Sequence, residues 1–343
     1  MSKMLLIGDL HTEKKNLAET AKLMDWIATT AISKEVQYIT FFGDLYHGHS
    51  NVDTNVLDFY IDQFKSYRKK FERVILLGGN HDFSYDCTSN ALLAHADQCE
   101  VILEPSIRIF TTTGGSHEFT IAYIPFMRDN DEFIKVMQKF YDKGHRMFFV
   151  HQEFDGSQYS NGFYSPSGVK IPPSMSDAKI VAGHIHMNQV IGNVSYIGTP
   201  RQLTISDYGQ IKGICCIDLS NGGAEFIQTP EEVCETYKHF IVTSDNIAGV
   251  DLTKLNPSPK LIIDLKGTRE FVESNRNKIN PEIRVRPNII AETVNTSVKE
   301  SDGLPIAFMK YSQEFFNKNN IEDIDSDKIR QIIFNKCPIL RGN

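Results

Sequence analysis

Cysteine is scarce in this 343-residue chain, and its six copies (Cys87, Cys99, Cys215, Cys216, Cys234, Cys337) form no CxxC pair and keep no regular spacing. In a chain this long, that argues against a disulfide framework or a zinc ribbon and for reduced thiols in a cytoplasmic protein. No apolar run approaches the ~20 residues that a bilayer span needs, so no membrane partner is expected. The opening, MSKMLLIGDLH, has too short an apolar stretch for a signal peptide and meets Asp9 and His11 too early, so it reads as a first strand. An excess of positive charge is also missing: 36 Lys and Arg face 43 Asp and Glu, a net charge of −7. Phosphate contacts by Lys and Arg dominate nucleic-acid affinity, so this balance points away from a stand-alone DNA binder. It leaves room for a nuclease, because bound divalent cations reverse the field locally, and for help from a partner subunit. Internal repeats and low-complexity segments are absent as well.

What is present is a series of short apolar runs, each stopped by polar residues or glycine. They are KMLLIGD at 3–9, QYITFFGD at 37–44, RVILLGGNHD at 73–82, TIAYIPF at 120–126, RMFFVHQ at 146–152, AKIVAGHIH at 178–186 and VSYIGTP at 194–200. Continuous β-branched runs predict strands buried on both faces, as in a sheet covered by helices. Helical spacing appears at 16–33 (Leu17, Ala21, Leu23, Met24, Ile27, Ala28) and at 53–70 (Val56, Phe59, Tyr60, Ile61, Phe64). Strands alternating with helices predict βαβ units, hence an α/β fold. Cys215 and Cys216 fall in the apolar segment GICCIDL and are expected in the core. After about residue 235, KHFIVTS, PKLIIDLKG and EIRVRPNIIAETV read as strands around a helix, TREFVESNRNKI, which is enough for a small second domain. The polar stretch 295–303 reads as a linker, and the tail from Leu304 to Leu340 holds two amphipathic helical candidates.

The side chains at the ends of these runs carry the chemistry. Asp9 and His11 follow the first, Asp44 the second, and Asn80 and His81 the third; His151 follows a later run, and His184 and His186 another. In a mainly parallel sheet, the carboxyl ends of the strands share one edge, where sites form. Each motif alone has a plain structural explanation: a helix cap, a turn, two same-face strand residues. DxH, GD, GNHD, H and GHxH in one order are a joint signal that such explanations do not cover. Asp, Asn and His supply oxygen and nitrogen ligands that suit Mn, Fe or Zn. Two such ions, typically ~3.5–4 Å apart, clamp the attacking and leaving oxygens of a displacement at phosphorus. Asp44, with two oxygens, is the natural bridge between them, and a histidine outside the ligand set can protonate the leaving oxygen.

These five motifs resemble the calcineurin-like metallophosphoesterase family. The detail is similar to its SbcD branch, the bacterial counterpart of the nuclease in the eukaryotic double-strand-break repair complex. His47, three residues after Asp44, YIGTPRQ at 196–202, and the tail segment FMKYSQEFFNKNNIEDIDSDKI carry that likeness. The resemblance implies two mixed sheets packed together with helices outside, an αββα sandwich over 1–235. It also implies a small α/β capping domain that shapes the DNA path over 236–297 and a helical segment over 298–343 that docks a coiled-coil SbcC-type ATPase. Two divalent ions, Mn(II) by expectation, would be held by Asp9, His11, Asp44 and His186 and by Asp44, Asn80, His151 and His184. His81 would stabilise or protonate the leaving 3′ oxygen, His47 would orient the phosphodiester, and Asp82 would fix the tautomer of His81. The implied activity is 3′–5′ duplex exonuclease and single-strand endonuclease action in DNA repair, recombination or replication, by a homodimer. A phosphatase or nucleotide phosphodiesterase is the alternative. This chain departs from the family in placing Thr12 and Glu13 after His11 where Leu-Gly is usual. His49 is expected to be an exposed loop residue, and His95, His117, His145 and His239 surface or structural ones.

Overall fold

The computed structural model describes residues 2–49, 51–84, 90–111 and 118–290. The expected linker at 295–303, the docking tail, Cys87, His117 and Cys337 lie outside them. Contacts divide the chain into two compact units, one of Met1–Lys238 and a second beginning at His239.

The first unit opens with β1 (Lys3–Ile7), α1 (Leu17–Ser33), β2 (Tyr38–Phe41), α2 (Thr54–Arg68) and β3 (Arg73–Leu77). A short α3 (Asn90–Leu93) follows, then β4 (Glu100–Ile102), β5 (Ser106–Thr111), β6 (Glu118–Ile124), α4 (Asn130–Asp142), β7 (Met147–His151) and β8 (Lys179–Gly183). It ends with β9 (Gln189–Ile191), β10 (Val194–Tyr196), β11 (Gly213–Asp218) and β12 (Ala224–Gln228). Six strands form one mixed sheet in the order β12-β11-β1-β2-β3-β4, and six form a second in the order β5-β6-β7-β8-β10-β9. In the first, β1, β2, β3 and β4 run parallel, with Leu6 opposite Thr40 and Thr40 opposite Ile75, so their carboxyl ends share an edge. In the second, β6, β7 and β8 are parallel.

The alternation of side chains along each strand splits the apolar residues into three cores. Met4, Leu6, Phe42 and Ile75 meet Ile121, Tyr123 and Phe149 between the two sheets. Leu5, Ile7, Ile39 and Leu76 face the other way, onto Leu23 and Ile27 of α1 and Tyr60 and Phe64 of α2. On the far side, Phe148 and Val150 pack against Phe133 and Met137 of α4. Strands buried on both faces thus explain the continuous apolar runs, and the result is the expected αββα sandwich. Cys216 is buried in β11, whereas Cys215 is only half-buried.

The second unit is a three-stranded sheet of β13 (Lys238–Val242), β14 (Leu261–Gly267) and β15 (Arg284–Ile289). β14 and β15 are parallel and joined by α5 (Arg269–Arg276), capped by the Thr268 hydroxyl. Ile263 and Leu265 face Val272, Ile279 and Ile283 in a core of their own. No helix among the described residues is long and apolar enough to cross a membrane.

Candidate metal centre

β1, β2 and β3 end side by side, so the loops that follow bring Asp9 and His11, Asp44, and Asn80 and His81 to one edge. His151 is the last residue of β7, and His184 directly follows the neighbouring β8. The two sheets come together here without room to spare. A Cβ on Gly183 would lie 2.5 Å from the Phe42 carbonyl oxygen, and one on Gly79 would lie 2.3 Å from the Asp44 amide nitrogen. The backbone is strained at the same place: His11 (φ 44°), Asp44 (φ 50°) and His184 (φ 82°) adopt left-handed conformations. Among the described residues, only Glu35 shares that feature without being glycine, so the strain is concentrated on this cluster.

All seven expected ligands converge. His11 Nε2 lies 3.0 Å from His186 Nε2 and 3.4 Å from one oxygen of Asp44. The other Asp44 oxygen is 3.5 Å from His151 Nε2, so Asp44 sits between two groups of donors. The Asn80 side-chain oxygen lies 3.0 Å from His151 Nε2 and 2.7 Å from His184 Nδ1. Asp9 accepts the His184 amide at 3.0 Å. His151 donates Nδ1–H to the Phe42 carbonyl at 2.6 Å, which leaves the Nε2 lone pair facing the cluster. Thr12 accounts for the altered first loop: it is buried, its amide donates to the Leu45 carbonyl, and its hydroxyl lies 2.5 Å from Tyr60 Oη.

His81 lies beside the cluster, its ring centroid 4.6 Å from that of His11. Its Nδ1–H donates to the His47 carbonyl at 2.6 Å, so the backbone of His47 fixes the tautomer. The expectation that Asp82 does this is corrected: the Asp82 carboxylate accepts the backbone amides of Gly79 and Tyr46 and so shapes the turn that carries His81. The His47 ring is exposed, 5.5 Å from His11. His49 is exposed too, but it stacks on His81. His95 is fully buried and bonded to Tyr46 Oη at 2.6 Å, His239 meets Asp264 at 2.9 Å, and His145 packs edge-on to Phe140.

The electrostatics fit a cation. Burial pushes the carboxyls of Asp9 and Asp82 up to about 7 and raises that of Asp44 well above its ordinary range, the last aided by the neighbouring Asp9. Burial also lowers His11 and His151 strongly and His186 to about 4, so the imidazoles stay neutral and supply lone pairs rather than charge. Buried carboxylates ringed by neutral imidazoles lack a positive charge, and divalent metal ions would provide it. Donor atoms of Asp9, His11 and His186 lie within 4.8 Å of one another, as do those of Asp9, Asp44 and His151.

Several residues that support the site lie outside the five ligand motifs. Glu153 lies 3.7 Å from His184 Nε2 and accepts the Tyr159 hydroxyl; the His184 side chain holds its carboxyl down at about 2. Lys212 is buried and donates to the His186 carbonyl at 2.7 Å and to Asp207 at 2.9 Å. Arg201, within YIGTPRQ, is buried and donates to the Leu10 carbonyl at 2.7 Å and to Thr20 Oγ1 at 2.8 Å, which anchors the loop that holds His11. A cavity of about 440 Å³ opens above the cluster, walled by Asn80, His81, Tyr159, His184 and Ser206 among others, with no Lys or Arg among the described residues that line it.

The calcineurin-like phosphoesterase family model matches residues 2–201. A protein of Invertebrate iridescent virus 3 named for a phosphoesterase (078R) is 26% identical over 207 residues, covering 58% of this chain and 57% of that one. Exonuclease subunit 1 of Enterobacteria phage T4 is 24% identical over 246 residues, covering 66% of this chain and 67% of that one. The chain thus spans little more than half the length of the first of these relatives. A solved archaeal phosphodiesterase aligns with 66% of this chain and 99% of its own at 12% identity, with a TM-score of 0.34. With the family match running through β1 to the GTPR turn and the Asp, Asn and His side chains gathered at the strand ends, the chain belongs to the calcineurin-like phosphoesterases and is a metallophosphoesterase.

Proposed function

We propose that this metallophosphoesterase is a DNA nuclease, the nuclease subunit of an SbcCD-type complex, and that it cleaves phosphodiesters by in-line attack. The observation that carries the diester reading is the cavity wall: it has imidazoles, the Asp44 carboxylate, amides and hydroxyls, and among the described residues no Lys or Arg. A phosphomonoester brings two negative charges near neutral pH and a diester one, so a lining without fixed cations suits the diester. The likeness to exonuclease subunit 1 of phage T4 supports a nucleic acid as the substrate. The resemblance noted from the sequence adds 3′–5′ duplex exonuclease and single-strand endonuclease action, a homodimer, and a coiled-coil ATPase docked on residues 298–343.

In this reading, Asp9, His11, Asp44 and His186 would hold one divalent ion, and Asp44, Asn80, His151 and His184 would hold a second. Such ions, manganese by expectation, would supply Lewis acidity and a nucleophile available near neutral pH. The chain does the rest. The His151 tautomer is fixed by the Phe42 carbonyl, and Lys212 holds the backbone of His186 in place. His81, with Nδ1–H committed to the His47 carbonyl, turns Nε2 to the substrate and as imidazolium gives its proton to the departing 3′ oxygen. Burial lowers its pKa, which makes that imidazolium a readier donor. His47 orients the diester.

The test is manganese-dependent hydrolysis of linear duplex DNA by the purified chain, beside bis-p-nitrophenyl phosphate, p-nitrophenyl phosphate and the His81→Ala variant. The expected result is cleavage of DNA and of the small diester, with DNA cleavage by His81→Ala reduced about 10²-fold or more. Hydrolysis of the monoester in preference to both diesters would overturn the diester reading. Hydrolysis of the small diester alone, also with the ATPase added, would make the chain a nucleotide phosphodiesterase.

A further inference from the structure

The sequence offers His49 as one more exposed loop histidine, and its surroundings give it a role. Its ring lies nearly flat on His81, 4.0 Å between centroids and 23° between planes. His81 meets His11 at 4.6 Å edge-on and His47 at 5.7 Å, so among the described residues His49 is its nearest ring. His49 also donates Nδ1–H to the Asn80 carbonyl at 2.9 Å. One side chain therefore grips the backbone just before His81 and covers one face of its imidazole. The edge of His11 and the carbonyl of His47 constrain the same ring from two other directions. Of these supports, His49 alone belongs neither to the ligand cluster nor to the family pattern read from the sequence.

The stacking also separates this role from metal binding. An imidazole lone pair lies in the ring plane, and two nearly parallel rings with centroids 4.0 Å apart direct their lone pairs alongside each other rather than toward a common ion. His49 and His81 in this arrangement do not chelate. Contact between flat π faces favours one orientation of a half-buried ring.

We propose that His49 is a positioning residue that holds His81 with Nε2 directed at the leaving oxygen. This rests on the reading of His81 as the proton donor. In the step it serves, a water-derived oxygen forms a new bond to phosphorus, the bond from phosphorus to the 3′ oxygen breaks with its electron pair going to that oxygen, and the Nε2 proton of His81 moves onto it. A leaving group that is stable as an anion needs no such proton, so the role of His49 should depend on the leaving group.

The experiment compares wild type, His49→Ala, His49→Phe and His49→Asn on a DNA oligonucleotide and on bis-p-nitrophenyl phosphate, with manganese present. For His49→Ala, kcat on DNA falls about tenfold with KM within twofold, while kcat on the nitrophenyl diester falls less than twofold. His49→Phe, which keeps a flat ring, regains most of the loss; His49→Asn, which keeps only a short donor, does not. Adding His49→Ala to His81→Ala costs nothing further. Equal losses on both substrates, a loss confined to KM, or full additivity with His81→Ala would each overturn the proposal. A measurement without substrate runs in parallel: in 15N-histidine spectra, the His81 Nδ1–H signal exchanges faster in His49→Ala than in wild type or His49→Phe. Unchanged exchange would sink the positioning role. Because that readout needs no turnover, failure to cut DNA would count against the nuclease reading and still leave this inference decided.

Discussion

Lys212 and Asp207 form a buried ion pair under the metal centre. Burial alone lowers the Lys212 ammonium, and it would raise the Asp207 carboxyl had Lys212 not held it down. Removing one partner leaves the other buried and uncompensated, which costs about 3–5 kcal/mol. Lys212→Met should therefore lose about that much in urea unfolding, and Lys212→Met with Asp207→Leu should regain a large part of it. A single-variant loss below about 1 kcal/mol would show the pair to be dispensable. His95 gives the pH counterpart. Set among Tyr46, Tyr60 and Phe64, it is lowered by burial from its ordinary 6.5 to about 4. Between those values the unfolded chain carries a proton that the folded one does not, so acidification favours unfolding. The contribution is fully present above pH 6.5 and is lost as pH falls toward 4, about 3 kcal/mol in all. Unfolding free energies at pH 7.5, 6 and 5 should fall less steeply for His95→Phe than for wild type, and equal slopes would refute the assignment. The seven candidate ligand positions stand out in the sequence because each closes an apolar run in a short motif. Glu153, Lys212 and the stacked His49 do not, because what they do depends on which side chains tertiary packing brings to them.

At the level of elements, legibility followed burial. β1, β2, β3, β7 and β8 are covered on both faces, and continuous apolar sequence marks them. β4 and β9 are three residues long, and β12 is largely exposed, so no comparable run announces them. α4 has sparser sequence signals than α1 and α2: an Asp129 cap whose carboxylate accepts two backbone amides, then Phe133 and Met137 one turn apart. The interface between the sheets rests on a few large rings, and Phe149 is central to it, buried fully, 4.9 Å from Phe42 and 5.3 Å from Tyr123. Phe149→Ala should cost about 3–5 kcal/mol. Phe149 also lies two residues before His151 on β7, with its side chain on the opposite face from Phe148 and Val150. Metal affinity should fall with stability in that variant, measured by calorimetric titration with manganese. Retained affinity at reduced stability would show the strand end to be held by the loops alone.

Charge and chemistry are divided unequally along the molecule. Every candidate ligand falls between residues 9 and 186, inside the first unit, which has three apolar cores of its own. Residues 239–290 carry eight Lys and Arg against six Asp and Glu, in a chain whose net charge is −7. On the β14–β15 ladder, Arg284 is paired with Ile262, Arg286 with Asp264 and Lys266 with Asn288, which places three basic side chains at alternate positions. Arg286 is occupied by Asp264 through two bonds of 2.6 and 2.9 Å, which leaves Arg284 and Lys266 as candidates to meet phosphate. A chain ending at Lys238 should therefore fold, bind manganese and hydrolyse bis-p-nitrophenyl phosphate at close to the full rate. Its cleavage of DNA should fall tenfold or more, through KM rather than kcat, if the second unit supplies affinity. Arg284→Ala with Lys266→Ala in the full chain should reproduce part of that loss and flatten the dependence of binding on salt, by about one unit of slope for each phosphate contact removed. Loss of small-diester hydrolysis on truncation would show instead that the second unit helps to build the metal centre. An unchanged DNA KM would remove it from the substrate path.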